Sequence, residues 1–203
     1  TGYGTRMLKD AGATGVVGVD IDAASIALAQ RDYIGPDVGF LVGNVLNLPY
    51  PDGTFDVVVS FETIEHVPDG AAWLREAARV LKPGGRLIVS TPNREVTNPD
   101  RLFGQPMRNP YHTFEYTLGE FVGELTAQYD IEGLFGQTFV GPSGLTPPEW
   151  SDIVAALAGN AALASPPGMN PELMRHYAVA PLQRIKNARP AFVTAVCRKK
   201  PVG

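Results

Sequence analysis

The chain has 203 residues, 44% hydrophobic and 19% charged, with a formal net charge of −4 and one cysteine. That length can bury a full core as a single domain spanning residues 1–203, and the composition does not point to disorder. The acidic balance argues against non-specific binding to nucleic-acid phosphates, a lone cysteine permits no intrachain disulfide, and no apolar run approaches the roughly 18 residues needed to cross a bilayer. With no signal peptide visible, a soluble cytoplasmic protein without a membrane partner is expected.

The sequence opens TGYGTRML, without an initiator Met. A Gly-rich turn of this kind links a strand to a helix, so a strand upstream of Thr1 is expected. Thr5–Ala11 reads as the first helix, ended by Gly12. GVVGVD (Gly15–Asp20) is a short apolar run closing on an acid, the pattern of a buried parallel strand. Asp22 is placed to cap a helix over Ala23–Tyr33, which Gly35-Pro36 terminates. VGFLVG (Val38–Gly43) and FDVVVSF (Phe55–Phe61) read as strands, separated by the turn-rich NLPYPDGT. A helix is expected over Asp69–Leu81, stopped by Lys82-Pro83-Gly84-Gly85, and then the strand RLIVST (Arg86–Thr91).

Pro92–His112 carries four prolines and reads as a long irregular segment, a type that is functional or mobile in compact domains. Leu118–Tyr129 reads as helix and Ile131–Val140 as strand. Residues 141–189 form an insertion with helical segments near Glu149–Leu163 and Glu172–Lys186, suited to capping a substrate. Ala191–Arg198 is the last strand, with Cys197 as a buried thiol. Strands alternating with helices imply a mostly parallel sheet covered on both faces, with this last strand antiparallel beside RLIVST.

In such a sheet, ligands sit at the carboxyl ends of the strands. Gly2 and Gly4 allow close backbone approach, and the helix after them offers free N–H groups. Asp20 ends its strand where a carboxylate accepts both hydroxyls of a ribose. Gly12, Gly18 and Gly84 read as turn or packing glycines and Asp52 as a turn residue.

TGYGT, VVGVDID, GNVLNLPYPDGTFDVVVS and LREAARVLKPGGRLIVSTPN follow one another in the order and spacing that resembles the class I S-adenosylmethionine-dependent methyltransferases, from Thr1 to about Asn93. The resemblance implies a Rossmann-like α/β fold with S-adenosylmethionine as cofactor. It places Gly2 and Gly4 by the methionine part, Asp20 on the ribose and Ile21 against the adenine. Asn44 stands where the family commonly has an Asp near the adenine amino group, followed by Val45, and Ser60 lines the pocket at a strand end.

Glu62, Glu65 and His66 follow the FDVVVSF strand, and His112 lies beyond the next one; two of the three histidines of the chain fall in this constellation. If Phe61–Val67 makes a helical turn, Glu62, Glu65 and His66 share one face at i, i+3 and i+4. Adjacent carboxylates repel unless a cation or a proton separates them, and two carboxylates with two imidazoles suit a divalent metal. Glu-x-x-Glu-His, Ser-Thr-Pro-Asn and His112-Thr-Phe-Glu-Tyr-Thr together resemble the metal-dependent small-RNA 2′-O-methyltransferases, the ubiquinone-pathway catechol O-methyltransferases and bacterial glycan methyltransferases. That resemblance implies Glu62, Glu65, His66 and His112 as ligands of Mg²⁺ or Mn²⁺, with a sugar diol or catechol as acceptor. Many members of the larger class carry a Glu-His pair here and hold no metal, so His66 or His112 acting directly as general base is the alternative. Glu115 and Tyr116 read as supports for the His112 loop, and His176 as a surface residue.

The leading expectation is therefore an O-methyltransferase acting on a small molecule or glycan. An RNA 2′-O-methyltransferase is the rival, weakened by the acidic charge: the one basic concentration, Arg184, Lys186, Arg189, Arg198, Lys199 and Lys200, reads as a solvated face. A non-catalytic methyltransferase-like binding protein is the second rival, and nicotinamide oxidoreduction the third. The sequence leaves the oligomeric state open.

Overall fold

The computed structural model describes residues 2–102, 104–141, 179–182 and 189–201. The expected insertion helix Glu149–Leu163, with His176, Arg184 and Lys186, lies outside the described residues; the expected helix Glu172–Lys186 gives way, where it is described, to a strand over Val179–Pro181 that pairs antiparallel with Phe135–Gln137. The chain divides into two compact units, Thr1–Pro51 and Asp52–Gly203.

The first unit runs α1 (Tyr3–Asp10), β1 (Val16–Asp20), α2 (Ala23–Tyr33) and β2 (Val38–Val42). β1 and β2 are parallel, in register from Val16 with Val38 to Asp20 with Val42. The Asp22 carboxylate caps α2 by accepting from the N–H groups of Ala24 and Ser25, as its position in the sequence suggests. Ile26 and Ala29 of α2 pack on Val38 and Phe40 of β2, with Tyr33 at the edge. Gly18 keeps β1 flat beneath these groups, because a Cβ there would stand 2.7 Å from Thr5 Oγ1 and 2.8 Å from the Phe40 ring. α1 begins earlier than expected: Gly2 takes φ 89° as its N-cap, and Gly4 falls inside the helix.

The second unit runs β3 (Phe55–Ser60), a 3₁₀ turn (Ile64–His66), α3 (Gly70–Val80), β4 (Leu81–Pro92), α4 (Arg94–Thr97), α5 (Leu118–Thr126), β5 (Tyr129–Val140), β6 (Val179–Pro181) and β7 (Arg189–Lys199). Its sheet has the order β3-β4-β7-β5-β6. β3 and β4 are parallel, and β7 is antiparallel to both β4 and β5, so β3, β4 and β5 share one direction and the last strand opposes them. The expected α/β architecture, mostly parallel with an antiparallel last strand, is the observed one.

The core follows the period-2 pattern of the central strands. Leu87 and Val89 of β4 and Val193, Ala195 and Cys197 of β7 are buried, and Leu87 pairs with Cys197. Burial pushes the Cys197 thiol up to about 12, the behaviour of a structural rather than a reactive cysteine. α3 covers this layer with Trp73, Leu74 and Ala77, and α5 with Phe121 and Leu125. Tyr129 starts β5 where helix was expected, because its buried hydroxyl donates to Leu74 O at 2.8 Å and its backbone pairs with Lys199. β4 is longer than RLIVST: Leu81 already pairs with Phe55, and Lys82–Gly85 forms an irregularity inside the strand.

Candidate active site

In the first unit, Gly2, Thr5, Asp20, Ser25, Ile26, Ala29 and Phe40 line a cleft of about 110 Å³ at the carboxyl end of β1. Gly2 and Asp20, two of the expected cofactor residues, are thereby brought together. Gly2 has no alternative side chain, since a Cβ would sit 2.7 Å from Ala29 Cβ in a φ > 0 backbone. The Asp20 carboxylate is oriented by the Asp22 N–H, which donates to Oδ1 at 2.9 Å. Ile21 is exposed. Asn44 follows β2, and its side-chain oxygen accepts from Leu46 N–H at 2.9 Å, which places Val45 inside a small turn. Gly4 is set apart from these: it is exposed in α1, with nothing within 4 Å of its Cβ position.

In the second unit, Ser60 is buried at the carboxyl end of β3, and the chain then turns sharply. Glu62 takes φ 50°, a left-handed conformation that costs a residue with a Cβ about 1–2 kcal/mol. Ser90 holds it there: the Glu62 N–H donates to Ser90 Oγ at 3.1 Å, and the Ser90 hydroxyl donates to Glu62 Oε1 at 2.6 Å. The left-handed residue breaks the expected helical turn, and only Ile64–His66 winds into a 3₁₀ turn. Glu62 therefore does not share a helical face with Glu65 and His66; it reaches the same region from the Ser90 side.

Glu65, His66 and His112 do converge, with ligand atoms that all lie within 4.8 Å of one another. Glu65 is 1% exposed, and neither of its carboxyl oxygens has a hydrogen-bond partner. Burial raises its pKa to about 8, and the neighbouring Glu62 and Glu115 carboxylates add to this. Burial also raises Glu62, against the lowering effect of the Ser90 hydrogen bond and of the two histidines. The His66 and His112 rings meet edge to face with centroids 4.7 Å apart.

The segment around residues 109–116 fastens the cluster. Thr113 N–H donates to Glu65 O at 2.8 Å, and the Tyr111 carbonyl receives His66 Nδ1 at 2.9 Å. His112 Nδ1 lies 2.6 Å from Glu115 Oε1, and Glu115 is 1% exposed. Glu115 thus supports His112 as the sequence suggests, while Tyr116 is buried between Phe114 and Phe121. Ser90, Asn98 and Asn109 were not singled out beforehand. The signal for the two asparagines was present as Asn98-Pro99 and Asn109-Pro110, dipeptides that mark turns where an Asn side chain serves the local backbone.

Residues 1–89 match the family model described as a methyltransferase domain. The chain is 42% identical over 136 residues to a protein of Mycolicibacterium smegmatis named "Probable S-adenosylmethionine-dependent methyltransferase", covering 66% of this chain and 51% of that one. A Mycobacterium tuberculosis protein of the same name is 38% identical over 141 residues, 70% of this chain and 49% of its own length. The chain thus spans about half the length of these curated relatives. A tocopherol O-methyltransferase of Oryza sativa is 42% identical over a shorter stretch of 83 residues, 37% of this chain and 23% of that one.

Among solved structures, an S-adenosylmethionine-dependent methyltransferase from Mesorhizobium loti superposes with TM-score 0.63 at 20% identity, over 97% of this chain and 86% of that one. A Haloferax volcanii complex of the Trm112 methyltransferase activator with a methyltransferase gives TM-score 0.64 at 20% identity, over 100% and 79%. These two share the fold. Residues 1–89 thus match a methyltransferase domain, and the described fold is the one that solved S-adenosylmethionine-dependent methyltransferases share.

Proposed function

We propose that this protein transfers the methyl group of S-adenosylmethionine to a hydroxyl of a small molecule or glycan, with Glu65, His66 and His112 holding a divalent cation and Glu62 beside them. The observation that carries the reading is Glu65. A carboxylate buried to 1% exposure with no hydrogen-bond partner is costly, and a cation between it and two imidazoles removes that cost. Mixed carboxylate and imidazole donors suit Mn²⁺ and, with fewer nitrogen bonds, Mg²⁺. Such a cation lowers the pKa of a bound hydroxyl and so supplies the nucleophile that a neutral alcohol lacks.

The residues of the chain do the rest. Asp20 binds the ribose hydroxyls of the donor, and Gly2 lets backbone approach it. Ser90 and the left-handed Glu62 keep a second carboxylate close to the cluster. Transfer forms the oxygen–methyl bond as the sulfur–methyl bond breaks, and the hydroxyl proton leaves to a base at the site. A cytoplasmic setting belongs to the same proposal. A vicinal diol or catechol is the preferred acceptor class, because two hydroxyls chelate better than one.

A second reading has its own support. His112 beside the buried Glu115 at 2.6 Å has the form of a base oriented by a carboxylate, able to take the hydroxyl proton without a metal. Methyl transfer from labelled S-adenosylmethionine to a catechol or diol panel, run in excess chelator and then with Mn²⁺ restored, separates the two. Loss and recovery support the cation; persistence in chelator supports the histidine base.

A further inference from the structure

We propose that Glu115 is a positioning residue that locks His112 in the Nδ1–H tautomer, so that Nε2 carries the lone pair, held by the exposed Asn109 amide until a cation or a proton takes it. The proposal rests on the site described above only for what that lone pair then does, whether it takes a cation or a proton.

Two independent hydrogen bonds require the same tautomer. On one side, His112 Nδ1 is 2.6 Å from Glu115 Oε1, and a carboxylate accepts, so Nδ1 donates. On the other, His112 Nε2 is 2.8 Å from Asn109 Nδ2. The Asn109 amide is held in one orientation, because its Oδ1 accepts from Tyr111 N–H at 3.1 Å; Nδ2 therefore donates, and Nε2 carries the lone pair. His66 obeys the same rule, since its Nδ1 faces the Tyr111 carbonyl at 2.9 Å, an acceptor alone. Tyr111 thus sets both rings with its backbone, one through its C=O and one through its N–H. Free histidine in water prefers the opposite tautomer, with the proton on Nε2, so the protein imposes this state.

Glu115 is itself fixed from behind. Its Oε2 accepts from Asn98 Nδ2 at 2.7 Å and from the Thr97 hydroxyl. Asn98 is 1% exposed and is held in turn through its Oδ1, which accepts from Arg108 N–H at 2.8 Å. These donors leave Oε1 alone to face His112. They also decide what an isosteric amide would do. In Glu115→Gln the carbonyl oxygen must stay with the fixed Asn98 amide, which turns the new NH₂ toward His112 Nδ1. That nitrogen must then accept, so the proton moves to Nε2, the exposed Asn109 amide gives way to solvent, and the lone pair disappears from the site.

The experiment is ¹⁵N NMR of the protein labelled at histidine, read at a pH where the rings are neutral, with Mn²⁺ affinity measured in parallel. In the wild type, His112 should be protonated on Nδ1; in Glu115→Gln, on Nε2. Affinity for Mn²⁺ should fall on the order of 10–100-fold in the variant, and affinity for S-adenosylmethionine should not change. A wild-type His112 protonated on Nε2 overturns the proposal by itself, whether or not the variant folds. So does a Glu115→Gln protein in which Nδ1 keeps its proton. If the tautomer inverts while the wild type binds no Mn²⁺, the positioning role stands and the cation reading fails.

Discussion

Glu65→Gln isolates the physical cost on which the cation reading depends. Burial lifts the Glu65 carboxyl from its ordinary 4.5 to about 8. Because the folded-state value lies above that of the unfolded chain, the folded protein holds a proton there that the unfolded chain releases. The contribution of Glu65 to stability is therefore fully present below about pH 4.5 and is lost as pH rises to about 8. With each pH unit of displacement carrying about 1.4 kcal/mol, the loss between pH 5 and pH 8 is on the order of 3 kcal/mol. Gln cannot ionise and shows none of it. Urea unfolding of wild type and Glu65→Gln at pH 5, 6, 7 and 8, in chelator, measures the slope of the difference, in which the other titrating groups cancel. The wild type should lose stability relative to the variant across this window, and Mn²⁺ should restore it in the wild type alone. A difference that stays flat from pH 5 to pH 8 refutes the claim that a buried, unpartnered carboxyl dominates this site.

Other outcomes follow from single contacts. Asp20→Ala should weaken S-adenosylmethionine binding by roughly 1.5–3 kcal/mol, read by calorimetry, because the ribose hydroxyls lose a charged acceptor; unchanged affinity removes Asp20 from the site. Ser90→Ala deletes both hydrogen bonds that hold Glu62, so it should reduce stability by about 1–2 kcal/mol in urea and also reduce turnover. Glu62→Gly should reduce turnover without that loss of stability, since glycine accepts φ 50° freely. Tyr129→Phe should cost about 1 kcal/mol in urea and leave cofactor affinity alone, because it removes only the hydroxyl bond to Leu74 O.

The fold was legible wherever a local pattern has one physical meaning. Asp22 before an Ala-rich run could only be a cap, and GVVGVD and FDVVVS are strands as read, although β1 is half-buried and Asp56 and Val57 of β3 are exposed rather than buried. The period-2 alternation of Ala191–Arg198 matched a strand sandwiched in a sheet. Boundaries failed where tertiary pairing overrode local preference: Tyr129 left its helix for a bond to Leu74, and Leu81 joined β4 ahead of its turn. The site was half legible. Glu65, His66 and His112 met as expected, but the helical-face argument for Glu62 did not hold. Its conformation is set by Ser90, 28 residues away, and no periodicity within Phe61–Val67 reports that contact. Glu115 was visible as a support because it lies three residues from His112. Asn98 and Thr97 act on it from a different turn, which only folding brings near.

If Glu65, His66 and His112 form a cation site, direct titration with Mn²⁺ followed by electron paramagnetic resonance detects it without any acceptor in hand. The wild type should bind one Mn²⁺ per chain, with hyperfine broadening from ¹⁵N-labelled histidine, and both Glu65→Gln and His112→Ala should lose the site. A wild-type titration indistinguishable from that of Glu65→Gln would contradict the cation reading.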